Sequence, residues 1–256
     1  MIPIADSTHS RTFPIVNVTI IAINFIVFLY EVGLSQQLIT PRLTELDRLI
    51  FHWGNIPACT LDALGRNVSA ARAAVCSGQP DARWTMITAM FMHGSWLHVG
   101  GNMLFLWIFG DNVEDAMGHA RYALFYLLVG SLAAFAHMYV NVNDLTPAIG
   151  ASGAIAGVMG AYIVLFPRAT VAVIIPIIFF IPFPLPAFVL IGFWFVAQLF
   201  SGFSSLGPNT VGAGGGVAYF AHIGGFLAGA LLIHVFVLGR PALPPARPAR
   251  GPRKLW

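Results

Sequence analysis

Residues 150–166 read GASGAIAGVMGAYIVLF, an apolar run that contains four glycines and one serine, Ser152, near its start. Small residues at this density are typical of membrane helices, because they let neighbouring helices approach closely. The whole chain shares this character, with 57% hydrophobic and 9% charged residues among 256 and a mean hydropathy of +0.79. Such a composition lies outside the range of soluble domains. The sequence therefore predicts an all-α, polytopic membrane protein.

Six apolar segments are long enough, or nearly so, to cross a hydrocarbon core of about 30 Å. They cover approximately residues 14–34, 96–108, 120–140, 152–166, 185–203 and 219–238. We therefore predict a six-transmembrane-helix bundle over residues 14–238, with an N-terminal segment 1–13, a long loop 35–95 and a basic, proline-rich tail 239–256. The apolar stretch 171–183 is interrupted by prolines, which disfavour a regular helix. We interpret it as a tucked or interfacial connection and not as a seventh span.

The distribution of basic residues predicts the orientation of these spans. Arg11, Arg121, Arg168 and the tail fall on one side of a six-helix arrangement, whereas connections 141–151 and 204–217 contain no Lys or Arg. An excess of basic residues in short connections marks the cytoplasmic side. We therefore predict a multi-pass protein of the cell membrane with both termini in the cytoplasm. The tail is expected to touch anionic lipid headgroups and is no evidence for nucleic acid binding.

Both cysteines of the chain, Cys59 and Cys76, lie in the long loop 35–95. If this loop faces an oxidising compartment, they can form a disulfide that closes a loop of about 18 residues. Such a bond is worth about 3 kcal/mol in the chain-entropy model. The alternative is a pair of free thiols.

Four polar residues occur near the starts of the second, fourth and sixth spans, namely His98, Asn102, Ser152 and His222. Alternate spans of a bundle run parallel, so these side chains are expected at one depth, at the outer side. Polar groups inside a membrane are costly and usually functional. The alternative is that they only connect helices by hydrogen bonds.

A serine and a histidine brought together in this way can act as nucleophile and general base. The fourth span is short, about 22 Å for 152–166, so Ser152 is expected below the outer surface. Free backbone N–H groups and the helix dipole would favour an oxyanion beside Ser152. His98 and Asn102 lie four residues apart on one helix face and can donate to the same charge.

The histidines lack the spacing of a metal site, because no His-Glu-x-x-His pattern occurs and no carboxylate is placed beside them. We therefore expect neither a metal nor another cofactor. The lack of a nearby carboxylate also favours a Ser152–His222 dyad over a triad.

These residues make the chain resemble the rhomboid intramembrane serine proteases. The resemblance covers approximately residues 84–229 and rests on HGSWLHVGGN at 93–102, the Gly-x-Ser-Gly segment at 150–153 and AHIGG at 221–225. It implies that Ser152 attacks a peptide carbonyl and that His222 serves as general base and then as general acid. It also implies an oxyanion hole formed by the Ser152 N–H, His98 and Asn102.

The resemblance further implies supporting roles for His93, at the start of the first motif, and for Gly150 and Gly153, which flank the nucleophile. Some members stack a tyrosine of the fourth span on the catalytic histidine, but this chain has Ala156 there. We therefore expect Tyr219, one turn before His222, to orient the imidazole.

The function predicted from these residues is cleavage of transmembrane protein substrates near the outer membrane boundary. A catalytically silent rhomboid-like protein that binds membrane helices is the main alternative, and a small-solute transporter is a second. A proton-coupled transporter needs an intramembrane carboxylate, for which Glu31 is the one candidate in the sequence. The sequence leaves the oligomeric state open.

Overall fold

The computed structural model describes residues 1–8, 10–40, 43–66, 75–175, 179–206 and 217–240. Six helices of 14 to 22 residues form its framework, and each overlaps one predicted span. They are α1 (Ile15–Ser35), α2 (Trp96–Met117), α3 (His119–Val140), α4 (Ser152–Leu165), α5 (Ala187–Ser204) and α6 (Tyr219–Phe236). The helical membrane fold predicted from the sequence is thereby confirmed. From residue 241 onward the basic tail lies outside the described residues.

Four of these helices, α1, α3, α5 and α6, are long and apolar enough to cross a membrane. Helix α4 has only 14 residues, as its short apolar run predicted. Helix α2 has 22 residues and continues to Met117, beyond the predicted end at residue 108. Its last turns carry the acidic residues Asp111, Glu114 and Asp115, which reduce its hydropathy. Six helices thus correspond to the six predicted spans, and four of them are long and apolar enough to cross a membrane completely.

The acidic end of α2 fastens the beginning of α1. The buried Glu114 carboxylate accepts hydrogen bonds from the backbone N–H groups of Val16 (3.0 Å) and Asn17 (2.7 Å). These N–H groups belong to the first turn of α1, where no intrahelical acceptor is available. Glu114 is therefore a capping group for a neighbouring helix.

The stretch that we interpreted as a tucked connection is not helical where the structure describes it. It forms strands β4 (Thr170–Ile175) and β5 (Phe179–Pro186), which pair in antiparallel orientation. Strands β2 (Leu38–Thr40) and β3 (Leu43–Thr44) of the long loop form a separate antiparallel pair. Strand β1 (Ile2–Asp6), from the N-terminal segment, pairs with the other edge of β4. This three-stranded sheet was not expected from the sequence.

The prolines of β5 explain how a proline-rich stretch can join a sheet. Pro182, Pro184 and Pro186 alternate along the strand, so their missing N–H groups all lie on the same edge. Strand β5 is the last strand in the described sheet, and proline is tolerated at such an edge. The intervening residues remain free to donate to β4.

Helices α4 and α6 pack backbone against backbone through glycines. A Cβ built on Gly229 would overlap the backbone of Gly157, and one built on Gly225 would overlap the backbone of Gly153. Any side chain at these positions would hold the two helices apart. The glycines thus set the close approach that brings the N-terminal ends of α4 and α6 together.

The loop that precedes α2 docks beside the N-terminus of α4. Asn55 and Ala148 exchange two backbone hydrogen bonds of 3.0 and 2.8 Å. In the same loop Cys59 and Cys76 are joined by a disulfide, with their Cα atoms 5.2 Å apart. The short helix Glu45–Trp53 begins with a capping box made by Thr44 and Asp47. The loop therefore has its own local framework.

Candidate active site

Ser152 is the first residue of α4, and it meets His222 from the first turn of α6. The Ser152 hydroxyl lies 2.7 Å from Nε2 of the His222 imidazole, across 70 residues of sequence. His222 is buried, with 9% of its surface exposed, and Ser152 is half-buried. A serine that donates to a histidine at this distance has the geometry of an activated nucleophile.

Gly150 leaves the space that His98 occupies beside Ser152. Its φ of +128° is unfavourable for a residue with a side chain. A Cβ at this position would lie 2.8 Å from Nε2 of His98 and 3.8 Å from the Ser152 hydroxyl oxygen. The His98 ring and the nucleophile therefore face the same small volume next to Gly150. Gly153 is restricted by packing alone, because a Cβ built there would lie 2.9 Å from the Cβ of Ala133.

Asn102 lies one turn after His98 on α2 and is buried. Its amide nitrogen is 3.0 Å from Nε2 of His93, so one amide N–H can donate to that ring while the other remains for a ligand. The backbone N–H of His93 donates to the buried carboxylate of Glu31 on α1 at 3.0 Å. His93 also contacts the His98 ring, with centroids 4.9 Å apart. Hydrogen bonds thus link Asn102 through His93 to Glu31, and the His93 ring packs against His98.

The second nitrogen of His222, Nδ1, lies 2.7 Å from the side-chain oxygen of Gln198 on α5. The indole of Trp194, one turn earlier on α5, lies beside the same imidazole, with ring centroids 5.7 Å apart and planes tilted by 38°. Tyr219 makes no hydrogen bond or ring contact with His222 in the part of the chain that the structure describes. Ala156 is buried within the bundle.

Neither Gln198 nor Trp194 was expected from the sequence to contact His222. One signal was available, since Gln198 is the single amide or charged side chain in the predicted fifth span, residues 185–203. An amide at membrane depth is expected to have a polar partner. The apolar sequence around it does not reveal that this partner is His222.

No group of three or more His, Cys, Asp or Glu side chains suited to a metal occurs among the described residues. The arrangement consists of a hydroxyl held against an imidazole, with two further side chains, His98 and Asn102, that can donate to a nearby negative charge. Chemically it can carry out nucleophilic acyl transfer at the N-terminus of α4.

Comparison with known proteins identifies a Rhomboid domain over residues 80–239. The chain is 33% identical over 156 residues to the mitochondrial rhomboid protein 1 of Saccharomyces cerevisiae, covering 57% of this chain and 40% of that protein. It is 38% identical over 81 residues to rhomboid protease GluP of Bacillus subtilis, covering 30% and 15%.

A third match is the mitochondrial presenilin-associated rhomboid-like protein of Bos taurus, which is 31% identical over 91 residues, or 35% of this chain and 24% of that protein. The matched regions thus span at most 40% of the length of these three relatives.

Proposed function

The chain belongs to the rhomboid family, and we propose that it is an intramembrane serine endopeptidase that uses Ser152 and His222 as a catalytic dyad. The observation that carries this proposal is the 2.7 Å hydrogen bond between the Ser152 hydroxyl and the His222 imidazole. The rhomboid family includes intramembrane serine proteases, and one relative of this chain is named a rhomboid protease. The substrates are transmembrane proteins, and no cofactor takes part.

The reaction begins when His222 Nε2 takes the Ser152 proton as the hydroxyl oxygen attacks the peptide carbonyl carbon. The carbonyl oxygen becomes negatively charged and receives hydrogen bonds from the Ser152 backbone N–H, His98 and Asn102. His222 then gives its proton to the departing amine, which leaves an acyl group on Ser152. Water, activated by the same imidazole, hydrolyses this ester and restores the hydroxyl.

The close approach of His98 to Gly150 supports the proposed oxyanion hole. The donor must lie beside the nucleophile, and a Cβ built at Gly150 would have both the His98 ring and the Ser152 hydroxyl oxygen within 4 Å. Asn102 keeps one amide proton free while the other donates to His93. His93, which is bonded to Glu31, therefore supports the proposed oxyanion hole by holding Asn102.

The proposal extends to location and orientation. This is a multi-pass membrane protein, and we place it in the cell membrane with both termini in the cytoplasm, because the basic residues collect on that side. The active site then opens towards the outer side, where connections 141–151 and 204–217 lack Lys and Arg. Substrates are cut near that boundary of the membrane.

The decisive experiment uses the purified protein in detergent with a transmembrane substrate and a fluorophosphonate probe. Wild-type protein should cleave the substrate and be labelled at Ser152. Ser152→Ala and His222→Ala should each lower cleavage by more than about 10³-fold, because nucleophile and base act as a unit. Ser131→Ala is the matched control, since the hydroxyl of this half-buried serine bonds, among the described residues, only to the Leu127 carbonyl oxygen (2.8 Å) on its own helix.

The alternative of a catalytically silent, helix-binding rhomboid-like protein makes the opposite prediction. Wild-type protein would then neither cleave nor react with the probe, while still retaining a transmembrane peptide. Equal cleavage by wild type, Ser152→Ala and His222→Ala would also refute the proposed dyad.

A further inference from the structure

The imidazole of His222 makes two hydrogen bonds that fix its protonation pattern. To act as a base towards Ser152, Nε2 must carry no proton and accept from the hydroxyl. A neutral imidazole then carries its proton on Nδ1, and that N–H needs an acceptor because the ring is buried. The acceptor at Nδ1 is the side-chain oxygen of Gln198, at 2.7 Å.

From this geometry we infer that Gln198 is the positioning residue of the proposed dyad, selecting the Nδ1–H tautomer of His222 and fixing the plane of its ring. The inference rests on the proposed function, since it assigns the orienting role for the same base. It makes the site a Ser–His–Gln arrangement in which the third member is a neutral amide. A neutral third member is also found where asparagine orients the histidine of some cysteine proteases.

A neutral acceptor suits this position in the fold. Gln198 lies eleven residues into α5, a helix without acidic or basic residues between Ala187 and Ser204. A carboxylate there would have to be desolvated beside an imidazole that is neutral in the resting state. An amide oxygen accepts the same Nδ1–H bond without that cost.

Trp194 completes the support from the same helix. Gln198 and Trp194 are four residues apart, so both project from one face of α5 towards the imidazole. The indole limits rotation of the ring, while the amide distinguishes its two nitrogens. The support that Ala156 cannot supply from α4 therefore comes from α5.

The test replaces Gln198 with side chains of similar length. Gln198→Met has no comparable acceptor for Nδ1–H, and we expect kcat to fall about 10- to 100-fold with KM nearly unchanged. Gln198→Glu retains an acceptor oxygen whether ionised or protonated and should restore kcat to within a few-fold of wild type. Phe200→Met on the exposed face of α5 is the control and should change neither constant.

Two further measurements separate positioning from general stabilisation. In a His222→Ala background, Gln198→Met should cause no additional loss in the rate of labelling of Ser152, because it acts only through the imidazole. Nitrogen-15 NMR of the His222 ring should show mainly the Nδ1–H tautomer in wild type and a mixture of tautomers in Gln198→Met. An unchanged tautomer population in Gln198→Met would overturn the inference.

The outcomes for the two proposals are distinct. If wild-type protein is labelled in a Ser152- and His222-dependent manner but Gln198→Met retains full kcat, the dyad stands and the role of Gln198 is refuted. If wild-type protein neither cleaves nor labels, the proposed function itself fails, whereas the tautomer measurement still reports whether Gln198 controls the ring.

Discussion

The backbone contact between α4 and α6 leads to a prediction for Gly229→Ala. A Cβ at this position would lie 2.5 Å from the carbonyl carbon and 2.6 Å from the Cα of Gly157. Carbon atoms in contact are normally about 3.5–4.0 Å apart, so the helices must separate by about 1 Å. The opposing atoms are backbone and cannot rotate away. We therefore expect the free energy of unfolding to fall by about 3 kcal/mol, which is near the upper end of the cost of overpacking.

The same displacement should affect the active site. Gly229 follows His222 by seven residues, or about 10 Å along α6, and both lie on the side that faces α4. Separation of the helices would lengthen the 2.7 Å bond between Ser152 and His222. Because a 1 Å misplacement of reacting groups can cost about 10²-fold in rate, labelling of Ser152 should slow by that order.

The assay compares reversible unfolding in mixed detergent micelles with the rate of fluorophosphonate labelling. Gly192→Ala in α5 is the matched control, because a Cβ there meets no atom within 4 Å. It should be neutral or slightly stabilising, since alanine favours a helix by up to about 1 kcal/mol relative to glycine. Equal unfolding free energies for Gly229→Ala and Gly192→Ala would refute the argument from backbone contact.

Three more predictions concern the surroundings of the site. Gly150→Ala should lower cleavage about 10- to 100-fold, because its φ of +128° and the His98 ring leave no room for a Cβ. Titration of free thiols should detect none in protein purified without reductant, and Cys59→Ser, which breaks the bond to Cys76, should destabilise the loop by about 2–4 kcal/mol in thermal unfolding. Hydrogen bonds from the N–H and hydroxyl of the capping threonine lower the pKa of Asp47 below 3.8. The stabilisation that these hydrogen bonds provide is complete above pH 3.8 and is lost as the pH falls through the lowered pKa of Asp47. Hydrogen exchange in helix Glu45–Trp53 should therefore accelerate over this pH range. The Asp47→Ala variant should exchange faster than wild type at every pH and should show no such acceleration.

Much of the fold could be predicted because its helices are encoded locally. Each of the six helices overlaps an apolar run, and the shortness of α4 follows directly from the length of its run. The juxtaposition of Ser152 and His222 was also predictable, since alternate spans run parallel and both residues lie in the first turn of their helices. The parallel direction of alternate helices thus predicted a long-range contact from local information.

Other features depend on partners that no local pattern specifies. Strand β1 pairs with β4 across more than 160 residues of sequence. The residue pattern of a five-residue strand is too short to identify the strand with which it pairs. The acidic residues at the end of α2 look like boundary charges in the sequence. Only the packing of α1 against α2 makes Glu114 a helix cap.

The sequence by itself determined that this is a helical membrane protein, and it determined which serine and which histidine meet. The reason is that hydrophobic runs, glycine-rich helix faces and the direction of each span all follow from the order of the residues. Only the tertiary structure decided how His222 is held. We expected Tyr219, from the same helix, whereas the imidazole contacts Gln198 and Trp194 of α5. The physical reason is that a lone amide in an apolar helix must find a polar partner, and the rotation of that helix in the bundle selects which one.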